Sequence, residues 1–150
     1  MQLYLVQHGA AKSDAEDPQR GLTDDGRRTV ERMGEHLAAL GLAVDRIEHS
    51  EKLRARQTAE ILAARLKPTG GTRQIGGIAP NDDVEPMRAR LEKETGSLML
   101  VGHLPYLRKL VSRLLGLPVE HAVVQFQMGG VMHLDRDDSE IGRASCRERV

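Results

Sequence analysis

The chain has 150 residues, a length that suits one domain with a single hydrophobic core. Its 22 basic and 22 acidic residues balance, and their alternation along the sequence leaves no basic block to attract a polyanion. With two Tyr, one Phe and no Trp, the chain also lacks the aromatic platforms on which single-stranded nucleic acids stack. We therefore expect no nucleic-acid partner.

The N-terminal residues lack the basic start and the longer apolar run of a signal peptide. No stretch approaches the roughly 20 consecutive apolar residues of a membrane span. The single cysteine, Cys146, excludes an internal disulfide, and no Cys/His cluster has the spacing of a zinc site. We therefore expect a cytoplasmic protein, monomeric, with no membrane partner and no metal.

The last eleven residues, Glu140 to Val150, resemble the translation of a sequencing adapter read through at the end of a gene fragment. The alternative is a genuine Arg-rich terminus, which is common in proteins. We predict a domain at 1–139 and a non-native tail at 140–150, which is excluded from fold reasoning. On this interpretation Cys146 gives no information about redox chemistry, and we expect the native C-terminal segment to be missing.

The first half of the chain alternates predicted strands with predicted helices. Leu3 to Val6 is apolar throughout, which is typical of a strand covered on both faces. After a polar loop, Thr23 before Asp24-Asp25 predicts a helix N-terminus, and Gly41 predicts the end of that helix. The remaining predicted elements of this half are a strand at 44–49 and a helix at 53–66.

The second half continues the alternation. Residues 72–83 are predicted to be mainly loop, and Leu98 to Val101 is a second fully apolar strand that runs into Gly102-His103. Helices are predicted at 84–94 and 104–115, and strands at 123–126 and 130–134. Strands that alternate with helices predict an α/β fold, a three-layer α/β/α sandwich around a mostly parallel sheet.

Two histidines follow predicted strands directly. His8 comes after Leu3 to Val6, and His103 comes after Leu98 to Val101. In sheets of this kind, ligands bind beyond the carboxyl ends of the strands. We therefore expect both imidazoles to point into one crevice.

Four motifs, in order, resemble the histidine phosphatase superfamily. They are Leu5-Val6-Gln7-His8-Gly9, Leu22-Thr23-x-x-Gly26, Ser50-x-x-x-Arg54-Ala55-x-Gln57-Thr58-Ala59 and Val101-Gly102-His103. The small size, Arg20-Gly21-Leu22-Thr23 and Gly102-His103-Leu104-Pro105 are most similar to its SixA-type branch. The resemblance runs from Met1 to about Leu134. It implies a phosphoglycerate mutase-like fold and a reaction without metal or organic cofactor.

The resemblance also implies roles for individual residues. His8 stands at the position of the family's nucleophile, which receives the phosphoryl group before water removes it. Arg54 and His103 match the catalytic positions that donate to the phosphoryl oxygens. Arg20 is expected to be a further phosphate ligand, and Gln7 lies beside the nucleophile as another.

Arg56 competes with Arg54 for the catalytic position. Ser50, Gln57 and Thr58 match the family motif only if Arg54 holds that position. On a helix the two arginines lie roughly 200° apart, so we expect only one of them to face the crevice.

Gln7 is the main departure from the family, because the superfamily usually has Arg before the nucleophile. A neutral amide forms a weaker bond with phosphate than a guanidinium does. Three alternatives follow: Arg20 and Arg54 suffice, the activity is weak, or the site only binds phosphate.

The resemblance implies a phosphohistidine substrate on a signalling protein, such as a histidine phosphotransfer domain. A phosphohistidine loses an imidazole, which needs a weaker acid than an alkoxide does. Asn81, Asp82 and Asp83 lie in the loop where an acid could stand, but the favoured interpretation of these residues is a solvated Asx turn. The alternatives are a phosphomonoesterase that acts on small phosphorylated substrates, or a non-catalytic phosphate- or phosphoprotein-binding module.

Overall fold

A computed structural model describes residues 1–137 and, as backbone only, residues 144–149. The described strands are β1 (Gln2–Gln7), β2 (Arg46–His49), β3 (Thr72–Gln74), β4 (Ser97–Gly102), β5 (Val131–Arg136) and β6 (Ala144–Arg149). The described helices are α1 (Asp24–Ala39), α2 (Leu53–Leu66), α3 (Glu85–Lys93) and α4 (Tyr106–Leu114).

The strands form one sheet in the order β3-β2-β4-β1-β5-β6. The four neighbouring strands β3, β2, β4 and β1 run parallel to one another. Strand β5 is antiparallel to β1, and β6 is antiparallel to β5. The predicted mostly parallel sheet is therefore confirmed. Because β1 and β4 are adjacent and parallel, the residues that follow them meet at the same edge of the sheet.

Both faces of the sheet are covered by helices. Leu3 and Leu5 of β1 pack on the side of α3 and α4, whereas Tyr4 and Val6 pack on the side of α1 and α2. All four side chains are at most 7 % exposed. This double coverage explains why the strand sequence is apolar at successive positions instead of alternating.

The start of α1 is held against the loop that follows β1. Thr23 caps the helix as predicted, since its Oγ1 accepts the N–H of Gly26 at 2.9 Å. A Cβ at Gly26 would overlap the carbonyl oxygen of Ala10. Glycine at this position therefore allows the helix to approach the loop that carries the first histidine.

The predicted strand at 123–126 is wrong, because the structure has no strand there. The alternation that suggested it does exist: Val124 and Phe126 pack against the core while Val123 is exposed. However, both edges of β1 are already occupied, by β4 and β5. An alternating segment without a free strand edge beside it remains an extended loop. The short β3 lies at the start of the segment predicted to be mainly loop.

The C-terminal backbone adds β6, which pairs antiparallel with β5 from Val131↔Arg149 to Arg136↔Ala144. Residues 140–143 and 150 of the predicted non-native tail lie outside the described residues, and the origin of that tail stays a prediction. Among the described helices, none combines the length and the hydropathy needed to cross a membrane.

Candidate active site

His8 and His103 meet at the carboxyl edge of the parallel sheet. His8 follows β1, and its backbone N–H donates to the carbonyl of Gly102 at 3.1 Å, which continues the pairing of β1 with β4. The two imidazole rings lie 5.1 Å apart between centroids, with planes tilted by 55°. The structure thus brings together the two histidines that the sequence placed at strand ends.

The tautomer of His8 follows from its backbone contact. Nδ1 lies 2.7 Å from the carbonyl oxygen of Gly9, and a carbonyl oxygen can only accept, so Nδ1 carries the proton. In the neutral ring, Nε2 then has an electron pair, which accepts the Nε–H of Arg54 at 3.4 Å. Burial lowers the pKa of His8, and the charges of Arg54 and Arg20 lower it further, against a hydrogen bond to Gly9 that raises it. The ring is therefore neutral near pH 7, as a nucleophile requires.

Arg54 is positioned by the first turns of α2. The hydroxyl of Thr58 donates to the Arg54 carbonyl at 2.8 Å and accepts the N–H of Gly9 at 3.0 Å. One side chain thus ties the helix that carries the arginine to the loop that follows the nucleophile. This contact holds the backbone of Arg54 close to the segment that carries His8.

His103 is 1 % exposed. Its Nε2 lies 2.6 Å from Oγ of Ser50, whereas its Nδ1 is buried and has no hydrogen-bond partner among the described residues. Burial lowers the pKa of His103 to about 3, and the neighbouring charges of His8 and Arg54 act in the same direction. His103 is therefore a neutral ring that can donate a hydrogen bond without adding charge.

Arg20 reaches the site from the loop before α1. Its backbone is left-handed, with φ of +51°, a conformation that costs a non-glycine residue on the order of 1 kcal/mol. Its Nε donates to the carbonyl of Lys12 at 3.1 Å. Its charge contributes to lowering the pKa of both His8 and Arg54, and Arg20 lines the cleft at the start of α2 together with Arg54.

Gln7 supplies no charge at the position where the family usually has Arg. Its Oε1 is buried without a hydrogen-bond partner among the described residues. A buried polar atom left unpaired typically costs about 1–3 kcal/mol. Gln7 therefore lies beside His8 without adding a charge, and its Oε1 is not paired by any described residue.

Arg54 and Arg56 both line an open cleft of about 480 Å³ at the start of α2, together with Asp14, Pro18, Gln19, Arg20, Glu51, Lys52 and Leu53. The residues that line this cleft do not include His8 or His103, so the expectation that only one arginine faces the crevice between the two histidines stays a prediction. Arg54 contacts His8, whereas Arg56 lies 3.6 Å from Glu60 and is about half exposed.

Sequence reasoning did not assign roles to three residues that hold the site together. They are Ser50 beside His103, Thr58 beside Gly9, and Gln57, whose Oε1 accepts the N–H of Leu22 at 2.7 Å. All three belong to the motif that includes Arg54. The position of these three residues in the motif was therefore a signal for their roles, but the motif served only to assign Arg54 to the catalytic position.

The acidic loop residues serve as turn caps. Oδ2 of Asp82 accepts the N–H of Ala79 at 2.8 Å, and Oδ1 of Asp83 accepts the N–H of Glu85 at 3.0 Å. These bonds match the turn interpretation of this loop. Within residues 1–137, no group of three or more His, Cys, Asp or Glu side chains is placed to hold a metal ion.

Comparison with known proteins agrees with this geometry. Residues 3–73 match the family model described as the histidine phosphatase superfamily, branch 1. An uncharacterized protein of Picosynechococcus is 42 % identical over 113 residues, which cover 70 % of this chain and 67 % of the relative. Phosphohistidine phosphatase SixA of Escherichia coli is 30 % identical over 119 residues, 76 % of this chain and 74 % of that protein.

A solved structure of the protein histidine phosphatase SixA complexed with tungstate superposes with a TM-score of 0.83 and 25 % identity. The match covers 98 % of this chain and 94 % of the other. The chain therefore belongs to the histidine phosphatase superfamily. Within it, the chain is similar to the SixA-type phosphohistidine phosphatases.

Proposed function

We propose that the protein hydrolyses phosphohistidine on a phosphorelay protein, such as a histidine phosphotransfer domain, through a phosphorylated His8. The observation that carries the proposal is the neutral imidazole of His8, whose Nε2 lies 3.4 Å from the Arg54 guanidinium and whose ring lies 5.1 Å from that of His103. Three groups thus meet at the carboxyl edge of the sheet: His8 as the nucleophile, Arg54 as a cationic donor and His103 as a neutral donor.

In the first step, Nε2 of His8 attacks the phosphorus atom and the bond from phosphorus to the substrate nitrogen breaks. When the second ring nitrogen of the phosphohistidine is protonated, the imidazole leaves as a neutral molecule, so a strong protein acid is not needed. This suits a site in which the carboxylates of Asp82 and Asp83 are engaged with backbone N–H groups. In the second step, water attacks phosphorus, and inorganic phosphate and free His8 are formed.

The charge that spreads over the phosphoryl oxygens is stabilised by donors already in place. Arg54 offers a planar fork of N–H groups, and the Arg20 charge acts on the same site. Similarity to a SixA that was solved with tungstate, a tetrahedral oxyanion, supports an anion site of this shape.

The test is a substrate panel with trapping of the intermediate. The protein is incubated with a phosphohistidine phosphotransfer domain, with a phosphoserine peptide and with small phosphomonoesters, and phosphate release is measured. In parallel, the reaction is quenched without acid, and mass spectrometry locates the phosphoryl group on the protein. We expect release from phosphohistidine alone and a phosphoryl group on His8.

The matched control is a second histidine substitution. His8→Asn should abolish turnover, whereas His36→Asn, on the exposed face of α1, should leave it unchanged. Preferential release from a phosphomonoester would replace the proposal with the small-molecule phosphatase. Vanadate binding without turnover of any substrate would replace it with a phosphate-binding module.

A further inference from the structure

Ser50 and His103 form a buried polar pair behind the reacting histidine. Each residue is 1 % exposed, and Ser50 Oγ lies 2.6 Å from His103 Nε2. Ser50 directly follows β2, and its N–H donates to the carbonyl of Val101 in β4 at 3.2 Å. The serine is therefore held by the sheet at the strand next to the one that carries His103.

The direction of this hydrogen bond can be worked out from the other contacts of the hydroxyl. Oγ of Ser50 already accepts the backbone N–H of Lys52 at 3.3 Å. A hydroxyl also has one proton to donate, and among the contacts of Oγ within residues 1–137 the group that can accept it is Nε2 of His103. The serine therefore donates, and Nε2 of His103 accepts.

A neutral imidazole that accepts at Nε2 must carry its proton at Nδ1. Nδ1 of His103 is buried and has no hydrogen-bond partner in residues 1–137. The opposite arrangement would leave the hydroxyl proton of Ser50 buried without an acceptor. It would also leave a bare electron pair at Nδ1, which repels an anion.

We propose that Ser50 is a positioning residue that holds His103 in the tautomer protonated at Nδ1, so that this neutral ring donates its Nδ1–H to the phosphoryl group on His8. The role in the reaction rests on the proposed function, whereas the tautomer is a property of the free protein. The depressed pKa of His103, about 3 because of burial and neighbouring positive charge, supports the neutral form that has to be fixed in one tautomer.

The test combines a direct readout of the proton with anion binding. Long-range ¹H–¹⁵N NMR on protein with ¹⁵N-labelled histidine distinguishes a protonated from an unprotonated ring nitrogen. In the wild type we expect His103 to be protonated at Nδ1 and unprotonated at Nε2. Ser50→Ala should move the proton toward Nε2 and weaken vanadate binding by about tenfold, the effect of losing one well-placed hydrogen bond.

The conservative variant Ser50→Thr keeps the hydroxyl and should restore both the tautomer and vanadate binding. Ser112→Ala is the matched control: it removes another fully buried serine hydroxyl, one that bonds to Arg108 and His121 carbonyls. This control should change neither the His103 spectrum nor vanadate binding, and thermal melting of both variants measures the loss of stability that comes from removing a buried hydroxyl alone.

A wild-type His103 protonated at Nε2 would overturn the proposal without using any variant. An unchanged tautomer in folded Ser50→Ala would also overturn it. These outcomes are separate from failure of the proposed function, which would show as absence of phosphohistidine turnover while the Nδ1–H tautomer and its dependence on Ser50 persist.

Discussion

Two buried polar clusters in this protein are built on opposite plans. One surrounds Glu48 in the middle of β2, which is 0 % exposed. Its carboxylate accepts from Arg46 at 2.9 Å and from both terminal nitrogens of Arg90 at 2.7 and 2.6 Å. Burial acts to raise the pKa of Glu48, but the hydrogen bonds from Arg90 and Arg46 hold it below its usual value. Both of its oxygens are paired.

The other cluster, at the carboxyl edge of the sheet, leaves buried polar atoms without partners. Nδ1 of His103 and Oε1 of Gln7 are such atoms among the described residues. Most buried polar groups in proteins are hydrogen-bonded, and this fold satisfies that rule around Glu48. Two of the three exceptions among the described residues lie where a phosphoryl group is proposed to bind, and the third is the Tyr106 hydroxyl in α4. The Glu48 cluster is therefore paired in a way that stabilises the fold, whereas the cluster at the sheet edge leaves atoms available to a ligand.

The largest effect is expected when the ligand-binding cluster loses its charged donor. Arg54→Ala should lower kcat by about 100- to 1000-fold, the range seen when one donor to a developing charge is removed. Arg56→Ala should change kcat less than about threefold, because an exposed arginine usually contributes little. Steady-state kinetics with a phosphohistidine protein measures both. Equal losses in the two variants would show that Arg54 is not the donor.

The fully paired cluster should respond in stability instead. Arg90→Met leaves the buried carboxylate of Glu48 with Arg46 alone, and breaking a buried ion pair costs on the order of 3 kcal/mol. Urea unfolding should show this loss of unfolding free energy, while kcat of the folded protein stays close to that of the wild type. Arg28→Met, which breaks the exposed pair with Asp25, should cost less than about 1 kcal/mol. A large loss of kcat in Arg90→Met at unchanged stability would contradict the assignment of the Glu48 cluster to fold stability.

A charge added beside the nucleophile should sharpen the comparison. Gln7→Arg places a guanidinium where a buried amide oxygen is unpaired, and we expect vanadate inhibition to tighten by about tenfold. Gln19→Arg is the control, because it adds the same charge at the mouth of the cleft. Weaker inhibition in Gln7→Arg would indicate that Arg20 already supplies the charge. Arg20→Ala should then be nearly as damaging as Arg54→Ala.

The smallest effect is on the pH dependence of stability. The folded-state pKa of His103 is about 3, below the ordinary value of about 6.5. Between these values the unfolded chain binds a proton that the folded protein excludes, so the free energy of unfolding decreases as the pH falls. One such histidine contributes up to about 1.4 kcal/mol per pH unit.

The measurement is urea unfolding at pH 7, 6 and 5, a window in which ordinary carboxylates stay ionised. His103→Gln should flatten the dependence, and the remaining slope reflects His8, whose pKa is also lowered. His36→Gln, on an exposed position of α1, should leave the slope as in the wild type. An unchanged slope in His103→Gln would mean that its burial does not exclude the proton.

Much of the fold was predictable because local signals agreed with tertiary needs. The apolar run at Leu3 to Val6 predicted a doubly covered strand, and the cap at Thr23 and the glycine at Gly41 bounded α1 correctly. The segment at 123–126 failed for the opposite reason. Its alternation fits a strand, but strand formation also requires a free neighbouring edge, and no local pattern reports whether one exists.

The sequence by itself determined the order of elements, the placement of His8 and His103 at strand ends, and the motif register that selects Arg54. Only the tertiary structure decided which polar atoms are buried together and which are left without partners. It showed that Ser50 contacts His103, that Arg56 shares the cleft, and that Asp82 and Asp83 cap turns. The physical reason is that strand adjacency, as between β2, β4 and β1, depends on crossovers through the whole chain.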